Sequence, residues 1–245
     1  MNPPHPEFSS AHAAHAVIFD VDGVLVDSYQ AHLESWQALA AQSGIEFSEA
    51  DFADSFGRTS RDIIRTYWNR HLSDVDILAL DQQKEAIYRR IVQRHFPAMD
   101  GATDLIQSLA AAGFRLALGS SGPPENVNLA LERLGAKKLV NVVVTGNDVK
   151  HGKPDPEIFL IAARKLDVSP QQCVVIEDAP AGVAAAHAAD MAVLILLSRG
   201  RVAADFTQEP PELMIKSLRE ISPRMLIQLS QARRVSSDAA ENRTH

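Results

Sequence analysis

Asp20 and Asp22 stand two residues apart in VIFDVDGVLVDS, residues 17–28, directly after an apolar run. Aspartate is a poor strand former and is seldom buried without a partner. Two close carboxylates also repel each other. Such a pair at the end of a buried strand calls for a compensating cation. Four more chemistry-bearing residues follow: Ser120 in GSSG, Lys153 in HGKPDPEIF, and Glu177 with Asp178 in CVVIEDAPAG. Carboxylate oxygens with room for water are what Mg²⁺ prefers, and no Cys/His grouping suggests zinc. A carboxylate beside Mg²⁺ can attack phosphorus and form an aspartyl-phosphate. A second carboxyl two residues on can protonate the leaving oxygen and then activate water. Ser120 can donate to the phosphoryl oxygens, Lys153 can neutralise charge on the nucleophile and phosphoryl group, and Asp178 can ligate the metal.

These side chains act together only if strand ends bring them to one edge. Apolar, β-rich runs recur at 16–21, 115–120, 141–146, 173–178 and 192–197, mostly without alternation, as in strands buried on both faces. Helical patterns lie between the later runs: Thr103 to Ala112, Glu125 to Leu134, Pro156 to Leu166 and Ala181 to Ala189. The alternation predicts an α/β fold with a doubly wound, Rossmann-like parallel sheet, whose strand ends share one edge. No convincing strand falls between Ser28 and Phe96, where His32, Trp36 and Leu39 and later Ile63, Tyr67, Ile87 and Ile91 repeat at helical spacing. We therefore expect an all-helical cap over residues 28–96, inserted in a core of residues 16–27 plus 97–232, with flexible segments at 1–15 and 233–245. The connections near 26–30 and 96–101 are the expected hinges.

FDVDGVLVDS, GSSG, GKPDPEIF and IEDAPAG, in this order, resemble the motifs of the haloacid dehalogenase superfamily. The helical insert resembles the cap of its β-phosphoglucomutase-like subgroup, and the likeness runs over roughly residues 15 to 200. The resemblance implies Asp20 as nucleophile and Asp22 as general acid/base, with the Asp22 backbone carbonyl on Mg²⁺. It implies Ser120 and Lys153 on the phosphoryl group, with Ser121 and Gly122 beside them. Asp178 is then the direct metal ligand and Glu177 acts through water. In the cap, His32 matches a histidine near the acid/base, the alternative being an ordinary helix residue. Gly57 and Arg61 in FGRTSRD match the specificity loop; Arg61 either holds a distal anionic group or pairs with a neighbour on a solvated helix. Lys84 is spaced from Tyr88 like a cap lysine that approaches the phosphoryl group; the alternative is a surface lysine.

Several reactions share this scaffold. The family's dehalogenases lack the second aspartate, so Asp22 argues against dehalogenation. Phosphonate cleavage uses a Schiff-base lysine early in the cap, whereas Lys84 is the first lysine of the chain. In the subgroup's mutase a lysine precedes the cap-loop glycine, where Phe56 stands here. The mutase also has a serine and an asparagine where Gly122 and Pro124 stand. The expected activity is thus hydrolysis of a small organic phosphomonoester, a sugar phosphate among the candidates. A β-phosphoglucomutase-type reaction is the runner-up and a non-catalytic metabolite-binding protein the third reading.

Composition bounds the rest. The formal net charge of −7, with no basic cluster, argues against a nucleic-acid surface. The apolar run Met191 to Leu197 is too short to span a bilayer, and the N-terminus lacks the pattern of a signal peptide. A lone cysteine, Cys173, excludes an internal disulfide framework and suits a reducing, cytoplasmic setting. No large apolar stripe demands a partner, so a monomer or weak dimer acting on a small phosphorylated metabolite is expected.

Overall fold

The computed structural model describes residues 15–55, 59–68 and 71–241. Six short strands, β1 (Ala16–Phe19), β2 (Arg115–Gly119), β3 (Val142–Val144), β4 (Cys173–Glu177), β5 (Ala192–Leu196) and β6 (Leu213–Ile215), form one sheet. Their order is β3-β2-β1-β4-β5-β6 and every pairing is parallel. The chain leaves β1 toward β2 and β3, then crosses back to β4 on the other side of β1. That reversal opens a crevice at the strands' carboxyl ends, where sheets of this kind bind ligands. Phe19 lies in register with Leu118 and Ile176, so the residue after β1 comes level with the last residues of β2 and β4.

Four helices lie between β1 and β2: α1 (Tyr29–Gln42), α2 (Glu49–Ser55), α3 (Ser60–Tyr67) and α4 (Asp74–Arg94). Then come α5 (Ala102–Ala111), α6 (Pro124–Arg133), α7 (Glu157–Leu166), α8 (Pro180–Ala188) and α9 (Pro223–Glu241). Successive strand residues point to opposite faces. Val17, Phe19, Leu116 and Ile176 pack under α5, α6 and α9, while Ile18, Ala117 and Val175 pack under α7 and α8. Both faces are covered, which is why the strands read as unbroken apolar runs. The doubly wound α/β core with a helical cap is the expected fold.

The cap helices have their own sequence-coded starts. The Thr59 side chain accepts from the Asp62 N–H at the head of α3, and Ser73 and Asp76 form a reciprocal capping box at the head of α4. Leu33, Trp36 and Leu39 of α1 meet Ile63, Ile64, Ile77 and Ile87 in an apolar cluster separate from those of the sheet. The cap's two connections pair with each other. Val26 and Ala98 form an antiparallel bridge, the Asp27 N–H donates to Pro97 O at 2.8 Å, and the Met99 N–H donates to Leu25 O at 3.0 Å.

Three elements differ from the sequence reading. Strand β6 was not expected; its three residues at the sheet edge carry no long apolar run. Helix α9 continues to Glu241, through most of the segment expected to fray from residue 233. His15, assigned to the loose arm, accepts the Arg115 N–H at 3.0 Å; the rest of that arm lies outside the described residues. No helix among the described residues is long and apolar enough to cross a membrane.

Candidate active site

The residue following β1 is Asp20, whose N–H donates to Ile176 O of β4 at 2.9 Å. That bond extends the ladder and fixes the Asp20 side chain beside Glu177. Lys153 reaches in from the segment before α7, its Nζ 2.6 Å from Asp20 Oδ1 and 2.6 Å from Glu177 Oε1. The other Glu177 oxygen accepts from the backbone N–H groups of Asp178 at 2.7 Å and Ala179 at 2.9 Å. Asp178 Oδ2 accepts from Ser198 Oγ at 2.7 Å. All three acids are buried.

Two glycines make room for this cluster. Gly23 takes φ +77°, and a Cβ there would stand 2.0 Å from Asp178 Oδ2. At Gly182, in the first turn of α8, a Cβ would stand 2.0 Å from Glu177 Oε1. No other residue fits either position without displacing a carboxylate.

Burial tends to lower Lys153, but Asp20 and Glu177 outweigh it, raise its pKa and keep it charged. One lysine does not neutralise three acids. Burial raises Asp20 well above the ordinary carboxylate range, against the pull of Lys153. Burial and Glu177 raise Asp178 to about 7. Oxygens of Asp20, Glu177 and Asp178 lie within 4.8 Å of one another, near the ~4.2 Å between opposite ligands of an ion held at ~2.1 Å. An all-oxygen donor set with excess negative charge suits a hard divalent cation.

Asp22 faces the other way, toward the cap. Its Oδ1 accepts from the Tyr88 hydroxyl at 3.2 Å and lies 3.2 Å from His32 Nε2. His32 Nδ1 is 2.8 Å from Lys84 Nζ. An ammonium only donates, so Nδ1 accepts and the ring proton sits on Nε2, directed at Asp22. The His32 and Tyr88 rings stack at 4.2 Å with 10° between planes, which holds both donors in place. Burial tends to raise Asp22, but His32, Ser28 and Lys84 outweigh it and hold the carboxyl well below its ordinary range. Asp22 Oδ2 lies toward Gly122, where a Cβ would be 3.7 Å from it and 3.3 Å from Ser120 Oγ.

The structure brings Asp20, Asp22, Ser120, Lys153, Glu177 and Asp178 to one sheet edge. Ser120 is buried and its Oγ accepts the Gly122 N–H at 3.1 Å; Ser121 is exposed next to it. His32 and Lys84 join the cluster from the cap, and Lys84, only 3% exposed, is not a surface lysine. Arg61 does not join it: the guanidinium, half-exposed, pairs with Asp74 at 3.2 Å. Gly57 lies outside the described residues. The sequence reading missed Tyr88 as a donor to Asp22 and Ser198 as a donor to Asp178. The signal for Ser198 was available, because it stands two residues past the end of β5, as Asp22 follows β1 by three, at the carboxyl edge of the sheet.

The chain matches the family model for haloacid dehalogenase-like hydrolases over residues 14–190. A validoxylamine A 7'-phosphate phosphatase from Streptomyces hygroscopicus is 32% identical over 175 residues, 70% of this chain and 80% of that protein. A β-phosphoglucomutase from Bacillus subtilis is 32% identical over 184 residues, 72% of this chain and 80% of that protein. Among solved structures, a family IA, variant 3 hydrolase from Entamoeba histolytica superposes with a TM-score of 0.82 at 26% identity, covering 89% of this chain and 99% of that one.

Proposed function

The chain belongs to the haloacid dehalogenase-like hydrolase family, and from that premise we propose that it is a Mg²⁺-dependent phosphatase of small organic phosphomonoesters, sugar phosphates foremost. The observation that carries the reading is one site in which Lys153 holds Asp20 at 2.6 Å while His32 and Tyr88 hold Asp22 at 3.2 Å from the cap side. The two carboxyls have separate partners, one in the core and one in the cap, as two separate roles require. Without substrate Asp22 is the more acidic of the pair, so its part as acid needs a proton taken up with the anionic substrate.

Asp20 attacks phosphorus through its free oxygen as the bond to the leaving oxygen breaks, and Asp22 gives that oxygen its proton. Water then attacks the aspartyl-phosphate, Asp22 takes the water's proton, and the Asp20–phosphorus bond breaks to release inorganic phosphate. Lys153 pulls Asp20 toward its ionised form against burial, a pull that a bound cation would strengthen, and it faces the charge that develops on the phosphoryl oxygens, with Ser120 as a further donor. The side chains of Asp20 and Asp178 and the backbone carbonyl of Asp22 would hold Mg²⁺. Both Glu177 oxygens already accept from Lys153 or backbone N–H groups, which leaves Glu177 an indirect part. Bound Mg²⁺ supplies positive charge against the nucleophile and phosphoryl oxygens.

Hydrolysis is favoured over phosphate relocation by the pairing of the two cap cations singled out in the sequence, Arg61 and Lys84. A mutase must hold a second phosphate, yet Arg61 is paired with Asp74 and Lys84 with Glu85. Gly122 and Pro124 add no donor side chain on the core side. The similarity to the Bacillus subtilis mutase keeps the second reading open to test.

The test is phosphate release with Mg²⁺ across sugar and small organic phosphates, including β-glucose 1-phosphate, with product sugars analysed alongside. Release that EDTA abolishes, Mg²⁺ restores and D20N eliminates is the expected result. Glucose 6-phosphate forming with little free phosphate overturns hydrolysis in favour of the mutase. Full activity of D20N overturns the nucleophile assignment, and Mg²⁺ binding without turnover of any substrate leaves only a binding protein.

A further inference from the structure

Helix α6 of the core carries Asn126, Leu129 and Arg133 along one stripe that faces α4 of the cap. Near the hinge, Arg133 Nη2 donates to Gln93 O at 2.7 Å. In the middle, Leu129 packs against a cluster of Ala31, Tyr88 and Val92. Farthest from the hinge, Asn126 is buried, its Nδ2 donates to Glu85 Oε2 at 2.6 Å, and its Oδ1 accepts from Arg89 Nη1 at 3.0 Å. Glu85 stands nine residues before Arg94, the end of α4, or about 13 Å of helix. Opening about the hinge separates this contact before the one at Arg133.

The contact continues inward. The other Glu85 oxygen, Oε1, accepts from Lys84 at 2.7 Å, Lys84 donates to His32 at 2.8 Å, and His32 lies 3.2 Å from Asp22. Core helix α6 is thereby joined to the proposed acid/base through three cap side chains in series. We propose that Asn126 is a positioning residue, a latch whose bond to Glu85 holds the cap closed and sets Lys84 and His32 so that Asp22 transfers protons only in the closed state. The proposal rests on the phosphatase reading for its catalytic half alone; the latch itself is independent of the reaction. The bonds of the series are part-buried, and Asn126 itself is buried with both ends of its amide paired, a placement in which losing a partner is costly.

The test exchanges donor and acceptor. N126D sets a carboxylate against Glu85, and E85Q in the same chain restores a donor to face it while still accepting from Lys84. Two readouts are taken on wild type, N126D and E85Q/N126D. The first is small-angle scattering with Mg²⁺ and vanadate. The expected result is a larger radius of gyration for N126D alone, with recovery in the double variant. The second is kcat/KM for phenyl phosphate and for p-nitrophenyl phosphate, whose phenolate leaves without needing a proton. N126D is expected to lose about tenfold or more on phenyl phosphate, a fraction of what acid catalysis supplies, and under about threefold on p-nitrophenyl phosphate. The double variant recovers both.

Unchanged scattering in N126D overturns the latch. Expansion with equal loss on the two esters overturns the link to Asp22, since a merely structural role falls on both alike. If wild type hydrolyses neither ester, the phosphatase reading is what has failed, and the scattering arm still supports or overturns the latch.

Discussion

Replacing Gly182 by alanine puts a methyl group in place of a hydrogen where α8 passes against Glu177. The new Cβ would stand 2.0 Å from Glu177 Oε1 and 2.0 Å from Glu177 Cδ. Glu177 cannot swing aside, because one oxygen is held by Lys153 and the other by two backbone N–H groups. Overpacking of this kind costs about 1–3 kcal/mol, and weakening a bond to a charged group adds about 1.5–3 kcal/mol. Alanine returns about 1 kcal/mol through its better helix propensity. The net is a destabilisation of about 1.5–5 kcal/mol, or a melting temperature lower by roughly 3–20 °C for a chain of this size. Turnover should fall as well, since displacing Glu177 displaces Lys153 from Asp20. The control is G152A, where no atom lies within 4 Å of a Cβ and the change should stay within about 0.5 kcal/mol. Thermal melts and p-nitrophenyl phosphate hydrolysis on the two variants decide it. A G182A protein that melts within about 2 °C of wild type with full activity would refute the view that Glu177 is clamped.

Two other groups give independent checks. Burial pushes the Cys173 thiol up to about 12, so the native protein should not react with Ellman's reagent at pH 8 over minutes and should yield its single thiol only in denaturant; rapid native labelling would contradict the burial. Glu212 accepts from the Val193 N–H at 2.7 Å and from Arg233 at 3.0 Å. Burial tends to raise Glu212, but bonds from His187 and Val193 outweigh it and lower its pKa. Its share of stability is therefore complete above the ordinary glutamate value of about 4.3 and is lost as pH falls through the lowered one. In urea titrations the gap between wild type and E212Q should narrow on going from pH 5.5 to 3.5, and a gap that stays constant or widens would show that Glu212 gains nothing from its partners.

The parts of this protein legible in its sequence are those where one local signal suffices. Buried strands such as Ala16–Phe19 and Cys173–Glu177 announce themselves as apolar runs, with the acid Asp20 directly after the first and Glu177 closing the second. Helix α7, read as Pro156 to Leu166, is found at Glu157–Leu166, because a proline marks its start and apolar periodicity its length. Strand β6 escaped because three residues carry too little pattern and its support is β5, nineteen residues earlier in register (Leu196 beside Ile215). Helix α9 escaped because QARRVSSDAAE is polar, and what anchors its beginning is Leu226 against the sheet. Within the site, Tyr88, Glu85 and Asn126 have no motif of their own. Each matters through a partner dozens of residues away, and only folding the cap onto the core brings those partners within hydrogen-bond reach.

The paired connections at Val26 and Ala98 have a consequence for how such a chain can change over time. Because the outgoing and returning strands are bonded side by side, the core meets roughly seventy intervening residues as though they were the tip of a hairpin. Whatever folds beyond that bridge can be lengthened, shortened or exchanged without moving Asp20, Lys153 or Asp178, since no strand of the sheet depends on it for its order. On the proposed function, the nucleophile and the metal site thus sit on one heritable piece of the chain and most of the substrate-facing surface on another, and what an exchanged tip must keep is the His32, Lys84 and Tyr88 side chains that reach Asp22.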